Sequence, residues 1–319
     1  MKNKIIVAGS ILVDRLQTID AYPRAGELAQ IRAISRAPGG LVPNVALDLR
    51  ALAPEIPVLA SGAVGRDENG DYVRNLLTDH GVDTSAIAVS ETEATSFTDV
   101  MSVPGGERTF FTYPGASAQW GFDDFPFDRV QAGDIVLLGY FLLLAKIDAG
   151  DGVRILQELT RRGAKTAIDL VTENSNRYGL VRACLPYVDY LIINEVEAAR
   201  IVGRDAPSAE LAQDLMELGV RMRVVIHEPA KGTSLVRGGT CVEVSSFNLP
   251  PAFIKGKTGA GDAYCAGVLT GLCEGLVDEA ILRRGALAAV GALSAPGATE
   301  GVRDFAALEN LVDTVCNNK

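Results

Sequence analysis

The stretch Lys257-Thr-Gly-Ala-Gly-Asp-Ala-Tyr-Cys-Ala-Gly267 is the most informative part of this chain. Its glycines allow the backbone to approach a ligand closely, and the small and apolar residues after them predict a buried helix. The N–H groups at the start of such a helix favour an anion. We therefore expect the amides of Gly259, Ala260 and Gly261 to form an anion hole, with Asp262 in the first turn of the helix.

Asp262 has two interpretations on this stretch alone. It could act as a base that accepts a hydroxyl proton late in phosphoryl transfer, where position matters more than basicity. It could equally cap its helix and interact with the helix dipole. In either case we expect a low pKa for Asp262, because the helix start stabilises the charged form.

Upstream of this stretch, short apolar runs that predict buried strands alternate with amphipathic runs that predict helices. The predicted strands are 5–8, 56–60, 135–138, 166–170, 190–193 and 224–227. The predicted helices between them are 44–52, 69–80, 151–162, 195–202 and 209–218, and the C-terminal third departs from the alternation with predicted helices at 262–274, 278–295 and 304–315. This alternation predicts an α/β fold in which helices cover both faces of a mostly parallel sheet.

Segments 29–36 and 95–113 interrupt this alternation with patterns of exposed antiparallel strands. They could pair in one small sheet that forms a lid over the carboxyl ends of the core strands, where α/β sheets bind ligands. We therefore predict a single domain over 1–319, with lid segments at approximately 13–36 and 95–114.

The composition excludes several classes of partner. Lys and Arg number 30 and Asp and Glu 40, so the formal charge is −10, which argues against a nucleic-acid partner. No apolar run reaches the ~18 residues of a membrane helix. The cysteines form no CxxC pair and predict reduced thiols in a cytoplasmic protein, and two distant histidines argue against zinc.

Further motifs occur in order before this stretch: Gly39-Gly40 followed by Asn44, Gly-Ala-Val-Gly-Arg-Asp-Glu-Asn-Gly at 62–70, and Asn194-Glu-Val-Glu197. With the 258–267 segment, they make nearly the whole chain resemble the PfkB family of ribokinase-like carbohydrate kinases. The resemblance implies a Rossmann-type core with a β-sheet lid. It also implies transfer of the γ-phosphoryl group of ATP to a hydroxyl group, usually on a sugar, with Mg²⁺.

The resemblance also assigns roles to residues. Asp262 would be the base, and the amides of 259–261 the anion hole. The residues implied to contact substrate are Asp14, Gly39, Gly40 and Asn44, and Arg108 could reach an anionic substrate. The residues implied to contact nucleotide are Asn194, Glu197, His227, Gly232 and Lys257, with Glu197 binding Mg²⁺ through water.

Simpler interpretations stay open for most of these residues. Asp14 and Asn194 could be turn residues, and Asn44 could cap the following helix. The remaining candidates have equally plain alternatives. Glu197, Arg108 and Lys257 could be solvated surface charges, and His227 a partly buried core histidine.

The chain departs from the family pattern in three places. Leu41-Val42-Pro43 stands where the family has Lys and Gly, and Leu12 stands where ribokinases have Asn, so we expect an apolar rim and a sugar other than ribose. Gly256 replaces an Asp of the monovalent-cation segment, which leaves potassium activation in doubt, and Lys257 could substitute for that cation. Pro229 replaces a nucleotide-binding glycine and removes an N–H group.

Other functions stay open at this stage. A nucleoside kinase of the same superfamily would share these motifs. A catalytically silent regulator that binds sugar or nucleotide would fit the altered 227–232 and 256–257 segments, although Asp262 argues against it. Exposed lid strands would also allow a homodimer through the lid.

Overall fold

The structure is a computed structural model that describes residues 3–106, 108–229 and 231–317. Residues 107 and 230 fall in the predicted lid and nucleotide segments and lie outside the described residues. The strands are β1 (Ile5–Gly9), β2 (Leu12–Ile19), β3 (Ile31–Gly39), β4 (Val58–Gly65), β5 (Asp83–Ser90), β6 (Ser96–Ser102), β7 (Arg108–Tyr113), β8 (Ile135–Phe141), β9 (Lys165–Leu170), β10 (Tyr190–Asn194), β11 (Arg223–Glu228), β12 (Gly232–Arg237) and β13 (Thr240–Ser245). The helices are α1 (Leu41–Leu52), α2 (Glu68–Asp79), α3 (Gly152–Arg161), α4 (Glu195–Val202), α5 (Ser208–Glu217), α6 (Ala260–Glu274), α7 (Asp278–Leu293) and α8 (Phe305–Asn317). Short 3-10 turns at Gly115–Gln119, Phe122–Asp124, Phe127–Arg129, Arg177–Ala183, Leu185–Tyr187 and Pro251–Phe253, and a π turn at Ile147–Asp151, complete the elements.

The main sheet has nine strands in the order β13-β12-β11-β10-β9-β8-β1-β4-β5. Its strands from β11 to β5 are parallel, and the edge hairpin of β12 and β13 runs antiparallel to them. The carboxyl ends of the parallel strands therefore meet at one edge of the sheet, where open α/β sheets bind their ligands.

The two faces of this sheet are buried in separate apolar cores. On β1, Ile5 and Val7 enter the core that contains α1, α6 and α7, whereas Ile6 and Ala8 enter the core that contains α3, α4 and α5. This alternation follows the two-residue period of a strand. Full burial of each large aliphatic side chain contributes roughly 1.5–3 kcal/mol of stability. Because helices cover both faces of the sheet, the predicted α/β fold is confirmed.

A second sheet of four strands in the order β3-β2-β6-β7 forms the lid. The sequence pattern predicts β3, β6 and β7 as strands. It includes β2 in the lid segment 13–36 without predicting it as a strand, and only Ser10 and Ile11 separate β2 from β1. The expectation of purely antiparallel pairing is wrong in one place. The β2–β3 and β6–β7 pairs are antiparallel, but β2 and β6 run parallel.

Helix α1 begins three residues before its predicted start at position 44. Gly40 is its N-cap with φ 85°, and Pro43 fits the first turn because its missing N–H has no helical partner there. Leu41 and Val42 are consequently fully buried core residues. The apolar rim expected from the sequence is therefore wrong, because these side chains pack inward.

Three strands of the main sheet, β5, β12 and β13, have no counterpart in the predicted pattern. Alternate residues of β13 and of β5 are exposed, so both strands lack the continuous apolar run that marks the inner strands. No helix among residues 3–106, 108–229 and 231–317 is both long enough and apolar enough to cross a membrane.

Candidate active site

The glycine-rich segment opens helix α6 as the sequence predicts. Gly259 is the N-cap with φ 77°, and a Cβ atom there would lie 2.4 Å from the carbonyl oxygen of Ala298. The conformation and the close approach therefore both require glycine. Ala263 donates to the Gly259 carbonyl at 2.8 Å, and the Ala260 amide donates to the Lys257 carbonyl at 3.4 Å, whereas Gly261 is exposed at the start of α6.

Asp262 is buried in the first turn of α6, with 5% of its surface exposed. Its Oδ2 accepts a hydrogen bond from Asn44 Nδ2 at 2.8 Å, and the hydroxyl group of Tyr140 lies 2.9 Å from Oδ1. Burial raises the pKa of Asp262 to about 6, although both hydrogen bonds act to lower it. The expected low pKa is therefore wrong, because the loss of water around the carboxylate outweighs the stabilising donors.

Asn44 lies in the second turn of α1 and does not cap it, because Gly40 occupies the cap. Its side chain reaches across to α6 and connects the two helices at the base. Its Oδ1 atom is buried and accepts no hydrogen bond within the described part of the chain. The contact with Asp262 places Asn44 in the site, but it does not test the implied contact with substrate.

Two more buried acids surround Asp262. Asp169 lies near the end of β9, where it faces Gly139 of β8 in register, and Asp48 lies one turn beyond Asn44 on α1. Burial, followed by the charge of Asp262, raises the pKa of both carboxyl groups well above the ordinary range. Neither residue was predicted from the sequence. The only available signal was an Asp inside an apolar strand or helix face, where a charge is costly.

Asp14 lies in the middle of β2, between Ala37 of β3 and Thr98 of β6, and so is not a turn residue. Burial raises the pKa of its carboxyl group to about 6. A Cβ atom on Gly39 would lie 2.9 Å from Asp14 Oδ2, and one on Gly40 would lie 2.7 Å from the Ser10 carbonyl oxygen. Both glycines therefore allow β2, β3 and α1 to meet closely at this point.

Asn194 and Glu197 form a reciprocal capping box at the start of α4. The Glu197 amide donates to Asn194 Oδ1 at 2.9 Å, and the Asn194 amide donates to Glu197 Oε2 at 3.1 Å. The Thr172 hydroxyl donates to Glu197 Oε1 at 2.8 Å. Glu197 is 2% exposed, so it is not a solvated surface charge, and burial raises its pKa despite these bonds.

His227 is the penultimate residue of β11 and packs on Tyr264 of α6, with ring centroids 4.8 Å apart. Its Cε1 atom lies 4.0 Å from the position a Cβ atom of Gly261 would take, so the ring borders the open start of α6. Burial lowers the pKa of His227 to about 4. The imidazole is therefore neutral near pH 7 and adds no positive charge beside the helix start.

The remaining nucleotide candidates lie nearby in the chain but are more open. Gly232 begins β12 with φ 138°, and a Cβ atom there would lie 2.2 Å from the Val244 carbonyl oxygen, so the pairing with β13 requires glycine. Lys257 is exposed in the loop before α6. Its predicted role as a substitute cation remains a prediction.

Arg108 is not brought to the site. It is exposed at the start of β7 and pairs with Ser102, whereas Asp14 aligns with Thr98, which pairs with Thr112. Four residues along a strand span about 13 Å, so Arg108 lies at the far end of the lid from Asp14 within one copy of the chain.

A sequence profile of the pfkB family carbohydrate kinases matches residues 2–304. The chain belongs to this family. The fructokinase of Klebsiella pneumoniae is 27% identical over 288 residues, which cover 88% of this chain and 88% of that protein. The ribokinase of Arabidopsis thaliana is 24% identical over 310 residues, which cover 94% of this chain and 78% of that protein.

Solved structures agree on the pfkB-type fold. The structure of Arabidopsis thaliana ribokinase complexed with ribose and ATP matches with a TM-score of 0.85 and 24% identity, covering 98% of this chain and 99% of that chain. Ribokinase from Thermotoga maritima matches with a TM-score of 0.81 and 20% identity, covering 98% and 99%. These structures confirm the ribokinase-like fold predicted from the sequence, and the family match confirms the predicted carbohydrate-kinase class.

Proposed function

We propose that this pfkB family member transfers the γ-phosphoryl group of ATP to a hydroxyl group of a sugar or sugar derivative, with Asp262 as the base. The observation that carries this proposal is the position of Asp262, a buried carboxylate directly beside the open start of α6. A base and an anion-binding helix start adjacent to one another are what phosphoryl transfer to a hydroxyl requires.

In the proposed reaction the hydroxyl oxygen of the sugar attacks the γ-phosphorus of ATP. The bond between the γ-phosphorus and the oxygen bridging to the β-phosphate breaks, ADP leaves with that electron pair, and the hydroxyl proton passes to Asp262. A pKa of about 6 leaves Asp262 ionised near pH 7 while making it a stronger base than an exposed Asp. The amides of 259–261 would stabilise charge on the phosphoryl group in transfer.

The acidic residues beside Asp262 fit a role for Mg²⁺. Burial raises the pKa of both Asp169 and Glu197, and the charge of Glu197 contributes to the shift at Asp169. A divalent cation would relieve this repulsion. Because Mg²⁺ usually keeps several of its waters, Glu197 would bind it through water. When bound, the ion would neutralise phosphate charge.

The sugar side is supported by the arrangement of Asp14, Gly39 and Gly40. The Asp14 carboxylate can accept hydrogen bonds from sugar hydroxyls. The two buried glycines allow β2, β3 and α1 to pack closely beside it. Relatives named fructokinase and ribokinase support a sugar as the substrate class.

A coupled assay of ADP formation over sugars, sugar acids, phosphosugars and adenosine tests the proposal. We expect ADP formation with at least one member of the sugar set and none with adenosine. Turnover of adenosine alone would identify a nucleoside kinase instead. Binding of sugar or nucleotide without ADP formation from any substrate would identify a silent regulator.

We also propose that a second copy of this chain covers the lid. Ile34 and Phe111 are 74% and 59% exposed on one face of the lid sheet, and Phe110 is 61% exposed on the opposite face. Light scattering should give the mass of a dimer, and the double substitution Phe110→Ser and Phe111→Ser should give that of a monomer.

We place this protein in the cytoplasm, because the buried thiols of Cys184 and Cys265 fit a reducing compartment.

A further inference from the structure

Tyr140 contacts the proposed base, although no sequence motif points to it. Its hydroxyl group donates to the Asp262 carboxylate, and its oxygen lies 2.9 Å from Oδ1 and 3.1 Å from Oδ2. Asn44 donates to Oδ2 from α1. Because donors from two elements contact both oxygens of one carboxylate, they fix the rotation of its plane.

The backbone that carries Tyr140 is strained. Tyr140 has φ 33° and Leu142 has φ 77°, a region that side chains other than glycine rarely adopt. Such residues cluster at functional sites and persist only where the surrounding structure holds them in place. Tyr140 lies immediately after Gly139, whose neighbours in register are Gly9 of β1 and Asp169 of β9.

Asp148 and Arg177 brace this strained turn. Leu142 N donates to Asp148 Oδ1 at 2.8 Å, and Arg177 donates to the Leu142 carbonyl oxygen. Arg177 and Asp148 also form an ion pair at 3.3 Å, and Leu143 N donates to the Tyr140 carbonyl at 3.3 Å. The brace therefore aims the Tyr140 side chain at Asp262 without itself contacting the base.

Tyr140 can act only as a hydrogen-bond donor in this environment. Burial raises its pKa well above the ordinary value, and the charges of Asp262, Asp169 and Glu197 raise it further. The phenol group therefore keeps its proton near pH 7. It cannot serve as a base itself.

The other titratable groups around Asp262 do not replace this donor. Asp48 on α1, Asp169 on β9 and Cys265 on α6 all have their pKa raised by burial and by the charge of Asp262. His227 on β11 is neutral near pH 7. Asn44 and Tyr140 are therefore the groups in the described structure that favour the charged form of Asp262.

We propose that Tyr140 is a positioning residue, which holds the Asp262 carboxylate, together with Asn44, in the orientation that accepts the hydroxyl proton. The inference rests on the proposed role of Asp262. The substrate proton passes to Asp262, and Tyr140 retains its own proton throughout. The strain at Tyr140 and Leu142 is the structural cost of placing this donor at the end of β8.

The test compares Tyr140→Phe with Tyr190→Phe, a buried tyrosine at the opposite, amino end of the sheet. We expect Tyr140→Phe to lower kcat by about 10- to 100-fold, the effect of one hydrogen bond to a charged group. The KM for sugar should stay within about threefold, and the acidic limb of the kcat profile should move up by roughly one pH unit. Tyr190→Phe should match the wild type.

A second readout does not depend on turnover. In protein labelled with carboxyl-¹³C aspartate, the signal lost in Asp262→Asn identifies Asp262, and its titration midpoint is then compared between variants. Arg177→Gln, which loosens the brace, should raise this midpoint in the same direction as Tyr140→Phe. It also serves as the test if Tyr140→Phe does not fold.

The outcomes separate this inference from the proposed function. Full turnover by Asp262→Asn would overturn the proposed base and with it the positioning role. An inactive Asp262→Asn with unchanged kcat, pH limb and ¹³C midpoint in Tyr140→Phe would overturn the positioning role alone. A change in the sugar KM without the other effects would mean that Tyr140 contacts the sugar, which also contradicts this inference.

Discussion

Asp14 and Asp262 are the same residue type, and burial raises the pKa of both to about 6, yet their surroundings differ. Asp262 lies on a core helix and accepts hydrogen bonds from Asn44 and Tyr140. Asp14 lies on a lid strand, and its carboxylate accepts no hydrogen bond from the residues described. Burial therefore raises the pKa of both groups, and at Asp262 the two donors partly offset that rise. The same donors hold the Asp262 carboxylate rigid, whereas the Asp14 carboxylate is left open for a ligand.

The largest effect should come from Asp262→Asn. Loss of the base should lower kcat by about 10³-fold, within the range of general-base catalysis, while sugar binding measured by calorimetry stays within a few-fold. Normal turnover by Asp262→Asn would mean that Asp262 is not the base, and its role would then no longer differ from that of Asp14.

Asp14→Asn should instead act on binding. We expect the sugar KM to rise about 10- to 100-fold, because a charged hydrogen-bond acceptor is lost, while kcat falls less than threefold. Steady-state kinetics with the best sugar from the substrate screen measures both constants. A loss confined to kcat would place Asp14 in the chemistry and contradict the comparison.

The pH dependence separates the two groups further. Asp262 must be ionised to act as a base, so kcat at saturating ATP and sugar should be flat above about pH 6 and fall about tenfold per unit below it. The kcat limb should persist in Asp14→Asn, since Asp14 does not act in the chemical step. If the fall of kcat below pH 6 disappeared in Asp14→Asn, the titrating group would be Asp14 on the lid and not Asp262.

Asp48 is a third carboxyl group to compare, and it has no proposed part in catalysis or in sugar binding. It is fully buried, and neither of its oxygens has a hydrogen-bond partner in the described structure. Its pKa in the folded state is raised well above 3.8, so the fold loses stability as pH rises above about 4. Asp48→Asn should therefore gain stability relative to the wild type by up to ~1.4 kcal/mol per pH unit above that point.

Denaturant unfolding between pH 4 and pH 8 measures this gain. Asp79→Asn, a substitution at an exposed position near the end of α2, is the matched control and should show no such trend. An equal pH trend in both variants would mean that Asp48 is not held neutral.

The smallest effect should come from Lys257→Ala. If the ammonium group interacts with phosphate, as the sequence predicts, the KM for ATP should rise a few-fold, the usual scale of an exposed charge. Lys255→Ala is the control, because Lys255 is exposed nearby and donates to the Ala252 carbonyl. Equal KM values in the two variants would exclude the substitute-cation role.

The sequence predicts the elements with strong local patterns. The apolar strands, the glycine at the start of α6 and the Asn194–Glu197 pair all depend on neighbours in the chain, and each lies where it is expected. The lid was predictable as a segment, but the parallel β2–β6 pairing was not, since it joins residues more than eighty positions apart in sequence.

The environment of Asp262 was not predictable for the same reason. Its raised pKa arises because α1 and the end of β8 pack over the first turn of α6, which no local pattern reports. Tyr140 reaches the base only through a strained turn whose brace comes from Asp148 and Arg177. Contacts between distant segments therefore determine the electrostatics of the site even where motifs identify the catalytic candidate.

The short connection between β1 and β2 has a mechanical consequence. Ser10 accepts hydrogen bonds from Leu41 N at its Oγ and from Val42 N at its carbonyl oxygen, both at 3.1 Å. Strand β2 of the lid and the first turn of α1 are therefore both attached at Ser10, with no long loop between them. A tilt of the lid would therefore move the first turn of α1 with it. Asn44, one turn further along that helix, would pass the movement to Asp262 through its hydrogen bond.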